Sequence, residues 1–186
     1  MIAYVFGYAS LVALGEPLAG EGVEVAAQPG RLRGYRRNWG AAMDNWEAVN
    51  DHKHFVDPET GERPRLRVAY LDLYEREGAS VNGLALPVDA ERLATLDARE
   101  VNYERVEVSG AFEPALGEPV FAYLGSEAAR ERCRRGAEEG NVYVSSQYAA
   151  LVRESFAALA PDALAEFDRT TDPSPFPERH LRRVVR

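Results

Sequence analysis

The sequence predicts an α+β fold, and three observations carry that prediction. Short apolar runs of strand length outnumber the segments with helical spacing. The two kinds of segment do not alternate strictly, as the units of a doubly wound sheet would. The best-patterned helix, Ser145 to Leu159, comes late and follows most of the strands.

Residues 2–8 lack any polar alternation, as expected of a strand buried on both faces. No basic region leads it, and Tyr4, Tyr8 and Ser10 interrupt its apolar character, so it reads as a first core strand rather than a secretion signal. The stretch from Gly15 to Gly30 is rich in glycine and reads as loop around a short strand at Val23 to Ala27. Residues 31–42 form a strand weighted by Tyr35 and Trp39. Asp44 to Pro64 is polar and turn-rich, with a tight turn at Asp57-Pro58-Glu59-Thr60-Gly61. Leu66 to Tyr74 and Ser80 to Leu86 read as a strand pair joined through Glu75-Arg76-Glu77-Gly78.

A helix is expected from Asp89, its N-cap, to Ala98, with Leu93 and Leu96 on one face. Strand returns at Tyr103 to Phe112 and again at Pro119 to Leu124. Ser126 caps a polar helix that runs to Gly136. In the helix from Ser145, the residues Tyr148, Leu151, Val152, Phe156 and Leu159 keep the three-to-four spacing. A short helix at Asp162 to Asp168 precedes Asp172-Pro173-Ser174-Pro175-Phe176-Pro177, which cannot be helical. Glu178 to Arg186 is basic and is either a packed arm or a loose tail.

At 186 residues the chain is most economically one domain, a core of about 1–160 with an extension of about 161–186. Its 22 basic against 30 acidic residues give a net charge of −8, which argues against nucleic acid as partner. No apolar run reaches membrane-spanning length. Cys133 is the single cysteine, so no intramolecular disulfide exists and a reducing, cytoplasmic setting is the natural reading. Cations around it in Arg130-Glu131-Arg132-Cys133-Arg134-Arg135 would favour a thiolate, against the plainer reading of an exposed helical thiol without a role.

Two segments carry chemistry. The loop Gly7-Tyr8-Ala9-Ser10-Leu11 has small and hydroxylated side chains, so its backbone N–H groups can approach a carboxylate closely. Far downstream, Leu96-Asp97-Ala98-Arg99-Glu100-Val101-Asn102-Tyr103 places a carboxylate, Glu100, between a helix and an aromatic strand. Held at a cavity mouth, it suits general acid or base work; in solvent it would pair with Arg99 or Arg105. Glu104 and Asp97 compete for that role. Glu104 shares parity with Val106 and Val108, and Asp97 is one helical turn from Glu100. Asp51-His52-Lys53-His54 with Asp57 has metal-capable side chains but reads as a solvated loop without zinc-type spacing. The chain has neither a phosphate-binding glycine loop nor a dinucleotide fingerprint.

The first loop, the Leu32-Arg33-Gly34-Tyr35-Arg36-Arg37 segment, the strand Val81-Asn82-Gly83-Leu84-Ala85-Leu86-Pro87-Val88 and the Glu100 segment follow one another in an order that resembles the gamma-glutamylcyclotransferase superfamily, over roughly residues 2–125. Ala9 departs from that pattern, standing where the family usually has glycine; a positive φ there would strain it. The resemblance implies a small closed or nearly closed mixed β-barrel flanked by helices. It implies release of 5-oxoproline from a gamma-glutamyl amide with Glu100 as acid and base, ranked ahead of Glu104 and then Asp97. The amides of Gly7, Tyr8, Ala9, Ser10 and Leu11 are the candidate carboxylate cradle; Tyr8, Ser10, Tyr35 and Tyr103 are candidates to line the pocket, and Tyr148 matches a tyrosine on the family's late helix, with core packing the alternative for each of these side chains. The reaction implied requires neither metal nor cofactor. Glutathione, gamma-glutamyl peptides and gamma-glutamyl amines remain open as the small-molecule partner. A non-catalytic binding module on the same fold, and pathway-specific removal of a gamma-glutamyl protecting group, remain the alternatives. Oligomeric state is not legible.

Overall fold

The computed structural model describes residues 2–14, 26–47 and 53–185. The short strand expected at Val23 to Ala27 falls outside them over 23–25, and residues 26–27 are irregular. Asp51 and His52 also lie outside them, and no cluster of metal-capable side chains occurs among the described residues.

The frame is an eight-stranded mixed sheet that curls into a half-barrel flanked by four α-helices. Strand β1 (Ala3–Gly7) lies inside it, antiparallel to β4 (Arg67–Val88) and parallel to β7 (Val120–Gly125). Burial on both sides explains its unbroken apolar sequence, with Val5 and Phe6 fully buried. The approach of β4 to β1 requires Gly83, because a Cβ there would lie 2.3 Å from the carbonyl oxygen of Gly7. The glycine in the Val81-Asn82-Gly83 segment is therefore a packing residue.

Strand β2 (Gln28–Asp44) pairs with β4 along most of its length. Here the structure departs from the sequence expectation. Glu75-Arg76-Glu77-Gly78 does not turn the chain between two strands; β4 continues through it as one element of 22 residues. The polar residues instead loop out opposite Gly34, where pairing jumps from Arg33↔Ser80 to Tyr35↔Glu75. Gly34 and Gly78 take φ values of 78° and 73°, which glycine adopts without a Cβ penalty. A second irregularity sets Trp39 and Gly40 against Leu71, between the pairs Asn38↔Asp72 and Ala41↔Tyr70.

Helix α1 (Ala90–Arg99) starts as expected, with the Asp89 carboxylate accepting from the Arg92 N–H at 2.8 Å. The expected strand from Tyr103 splits into β5 (Tyr103–Glu107) and a two-residue β6 (Phe112–Glu113). Ser126 and Ser145 cap α2 (Glu127–Glu138) and α3 (Ser146–Leu159). Strand β8 (Val142–Ser145), not anticipated from the sequence, runs parallel to β4 just before α3. Phe156 of α3 and Phe167 of α4 (Ala163–Thr170) pack at 4.7 Å and close the main core over Leu71, Leu73 and Val81.

The basic C-terminal segment proves to be a packed arm. After the two-residue β9 (Glu178–Arg179), Leu181 is fully buried, and β10 (Arg182–Val185) pairs with β3 (Lys53–Val56) in a separate two-stranded sheet. Leu181 and Phe55 anchor that sheet in a second core with Met43, Leu66, Val68 and Tyr70. No helix among the described residues is long and apolar enough to cross a membrane.

Candidate functional site

A cavity of about 430 Å³ opens between the half-barrel and the small sheet. The loop after β1 lines it with Tyr8, Ala9, Ser10 and Leu11. The end of α1 and the turn into β5 contribute Arg99, Glu100, Asn102 and Tyr103. Tyr70 and Leu71 come from β4, and Gln147 and Tyr148 from the first turn of α3. The small sheet closes the remaining side with Lys53, Phe55, Arg183 and Val185.

Glu100 is held by its backbone. It is the C-cap of α1, its N–H donates to the Leu96 carbonyl at 2.8 Å, and its own carbonyl accepts from the Tyr103 N–H at 2.8 Å. The turn that follows is fixed by Arg132, which donates to Asn102 Oδ1 at 2.5 Å. The Glu100 side chain is 18% exposed, and Arg99 approaches its Oε1 at 3.3 Å. Among the described residues it is the only carboxylate that lines the cavity. Glu104 is exposed on β5; Asp97 is bound by Arg105 and by the Tyr123 hydroxyl at 2.7 Å. Neither reaches the cavity.

Four phenols surround the carboxylate. Burial pushes the hydroxyls of Tyr8, Tyr70, Tyr103 and Tyr148 above their ordinary range, and the charge on Glu100 adds to the shift in each. All four therefore remain protonated hydrogen-bond donors at neutral pH. Tyr103 donates to the carbonyl of Leu71 at 2.9 Å, where the irregular pairing with Trp39 and Gly40 interrupts the ladder. Tyr8 donates to the Tyr123 carbonyl at 2.5 Å. The Tyr148 ring stands edge-on to Tyr70 at 4.9 Å, and its phenol meets the Ser10 hydroxyl.

The loop itself is held from behind by Arg37. Its Nε donates to the Tyr8 carbonyl at 2.8 Å, and its Nη atoms reach Asn82 Oδ1 at 2.8 Å, the Asn82 carbonyl and Thr170 Oγ1 at 2.7 Å. The guanidinium lies between the rings of Phe156 and Phe167, at 5.0 and 4.8 Å. Burial pulls this group down to about 9, partly opposed by Tyr8 and Glu166. It remains a cation at neutral pH. Beyond the anchored Tyr8, the chain enters a 3-10 turn at Ser10–Leu14, with the Val12 N–H on the Ala9 carbonyl at 3.0 Å. The N–H groups of Ser10 and Leu11 thus head a turn, without partners inside it. No described residue other than glycine has a positive φ, so Ala9 sits there unstrained.

Two expected site residues are misplaced, and a third feature needs correction. Gly7 is buried inside β1 and does not line the cavity; its carbonyl faces Gly83. Tyr35 is also absent from the lining, because the register of β2 pairs it with Glu75 beside the bulge, whereas the cavity is reached by Tyr70 and Leu71. Cys133 is a buried thiol, neither exposed nor activated. Burial, with a smaller effect from Asp72, pushes it up to about 11, and its Sγ lies 3.4 Å from the Trp39 carbonyl.

The sequence reading missed the small sheet altogether. Lys53 was assigned to a solvated loop, yet it is half-buried, with its ammonium 5.1 Å from the centre of the Tyr70 ring. Burial lowers its pKa and Arg183 and Arg99 lower it further, while Glu100 opposes them. The available signal was the pair of short β-branched or aromatic runs, Phe55-Val56 and Val184-Val185, far too distant in sequence to suggest pairing.

The fold class follows from this arrangement: an α+β half-barrel with a carboxylate at the end of a helix and a turn-forming loop after the first strand. It is the gamma-glutamyl cyclotransferase-like fold. The chain is similar over 95% of its length to a solved structure described as "Gamma-glutamyl cyclotransferase", covering 91% of that chain at 13% identity with a TM-score of 0.54. It is similar over 96% of its length to a structure of an uncharacterized protein from Homo sapiens, covering 93% of that chain at 14% identity with a TM-score of 0.55. No family model and no curated protein matches the sequence.

Proposed function

We propose that this chain is an enzyme of the gamma-glutamylcyclotransferase type, releasing 5-oxoproline and a free amine from a gamma-glutamyl amide. The observation that carries the reading is that the only carboxylate lining the cavity, among the described residues, is Glu100, which shares it with the Tyr8–Leu11 loop. The two segments are distant in sequence, and both belong to the pattern on which the resemblance rests.

The α-amine of the gamma-glutamyl group attacks its own γ-carbonyl, a C–N bond forms, and the bond to the leaving nitrogen breaks. The α-ammonium gives up two protons in all and the leaving nitrogen gains two, so neither water nor an oxidant enters the balance. Ring closure draws heavily on proximity, because nucleophile and electrophile are already joined. The remaining tasks are orientation and proton transfer. The N–H groups of Ser10 and Leu11 receive the α-carboxylate, in a loop held by Arg37. Glu100 takes a proton from the ammonium and returns one to the leaving nitrogen. Protonated phenols such as Tyr148 donate toward the oxygen that gains charge as the carbonyl is attacked.

The test is 5-oxoproline release by the purified protein from glutathione, gamma-glutamyl peptides and gamma-glutamyl amines, with Glu100→Gln as control. Release that vanishes in the variant supports the reading. A folded protein that releases none of it returns the chain to the binding-module alternative.

A further inference from the structure

The cavity has a charge pattern opposite to that of the whole protein. The chain carries 30 acidic and 22 basic residues, yet the described residues that line the cavity include one carboxylate, Glu100, and three cations, Lys53, Arg99 and Arg183. With acid in surplus, three cations gathered at one site are not a by-product of composition. Arg99 already lies against Glu100 at 3.3 Å. Lys53 and Arg183 form no ion pair with any described residue; the Lys53 ammonium lies 5.1 Å from the centre of the Tyr70 ring and feels the Glu100 carboxylate across the cavity.

The small sheet arranges these two cations. Lys53 pairs with Val185 and Arg183 with Phe55, so the four side chains fall on one face of the sheet, and all four line the cavity. Lys53 and Arg183 are diagonal neighbours on that face, about 7–8 Å apart at the backbone, within reach of one carboxylate held between them. This face belongs to β3 and β10, whereas the loop proposed for the α-carboxylate follows β1. The cavity therefore has two separate places for anions, with Glu100 between the segments that supply them.

We propose that Lys53 and Arg183, with Arg99 at the edge, form an anion subsite for a carboxylate on the leaving amine. Building on the cyclisation reading above, this makes the substrates amides whose leaving group is an amino acid or peptide, and makes neutral gamma-glutamyl amines poor ones. A half-buried ammonium and an exposed guanidinium give the charge-assisted hydrogen bonds that a carboxylate accepts and a carboxamide cannot match.

The isosteric pair gamma-glutamylglycine and gamma-glutamylglycinamide separates the possibilities. The unmodified protein is expected to favour the carboxylate, with kcat/KM higher by about tenfold or more. In Lys53→Met and Arg183→Gln that ratio falls toward one, through KM rather than kcat, and added salt erodes the preference of the unmodified protein. Equal kcat/KM for the two compounds, or a loss confined to kcat, overturns the subsite. Binding of the same pair to Glu100→Gln by calorimetry keeps the two readings distinguishable. A carboxylate preference that Lys53→Met abolishes, without turnover by the unmodified protein, supports the subsite and ends the cyclisation reading. Equal affinities overturn the subsite even if 5-oxoproline is released.

Discussion

Each of the two walls of the cavity contains a cation, and the two are held in opposite ways. Arg37, behind the loop after β1, is fully buried, donates to backbone and side-chain oxygens from three segments, and lies between two phenyl rings. Lys53, on the small sheet, is half-buried and faces the cavity, with the Tyr70 ring beside it and no ion pair to any described residue. Burial of a charge is tolerable where its hydrogen-bonding capacity is filled, and Arg37 meets that condition inside the protein. Lys53 makes no ion pair with any described residue and faces the cavity, where an anionic ligand would meet it. One wall is architecture that presents backbone; the other presents charged side chains to the cavity.

Glu100 stands between the walls, and its removal should have the largest effect. Glu100→Gln is expected to lower 5-oxoproline release by about 10²–10⁴-fold while leaving thermal stability within error. Full activity in that variant would transfer the chemistry elsewhere and leave both walls without a purpose. Arg37→Met should come next and act on folding. The Tyr8 and Asn82 carbonyls and Thr170 would lose their donor, at about 1–3 kcal/mol for each buried group left unsatisfied, read from denaturant melts. A variant as stable as the parent would contradict the architectural role.

Lys53→Met is expected to change the ratio between carboxylate and carboxamide substrates by about tenfold while shifting stability far less than Arg37→Met. If instead it unfolds the protein, the contrast between the walls collapses. Glu104→Gln, on the exposed face of β5, should change turnover by less than about twofold, because surface changes away from a site have small effects. The smallest signal concerns Cys133. Its folded-state pKa is raised above that of an unfolded thiol, so its contribution to stability is complete below pH 9.0 and is lost as pH rises to about 11. At neutral pH iodoacetamide should label it only after denaturant is added. Rapid labelling of the native protein would show a thiolate, against the buried thiol found beneath β2.

Much of the half-barrel was legible because its signals are local. The capping residues Asp89 and Ser126 and the three-to-four apolar spacing after Ser145 announced three helices, and an apolar run without alternation announced β1. Local spacing made Glu100 one candidate beside Glu104 and Asp97, and the resemblance in motif order ranked it first. Tyr35 was misjudged because a strand's register depends on its partner. The bulge that faces it with Glu75 arises from residues on β4, not from its own neighbours. Gly7 was misjudged for a related reason: a glycine before a loop looks the same whether it faces a ligand or another strand.

By itself, the sequence determined the α+β class, the order of the main elements and the loop after the first strand, since these follow from periodicity, capping and short-range spacing; the choice of Glu100 as candidate carboxylate came from the resemblance in motif order. Only the tertiary structure decided that Lys53 and Arg183 share one face of a sheet. They are separated by well over a hundred residues, and a two-stranded pairing of four-residue strands leaves almost no local trace. The same long-range packing made Arg37, at the end of the Leu32–Arg37 segment, the support of the loop. Whether a cation is a strut or a receptor depends on which oxygens the folded chain brings to it.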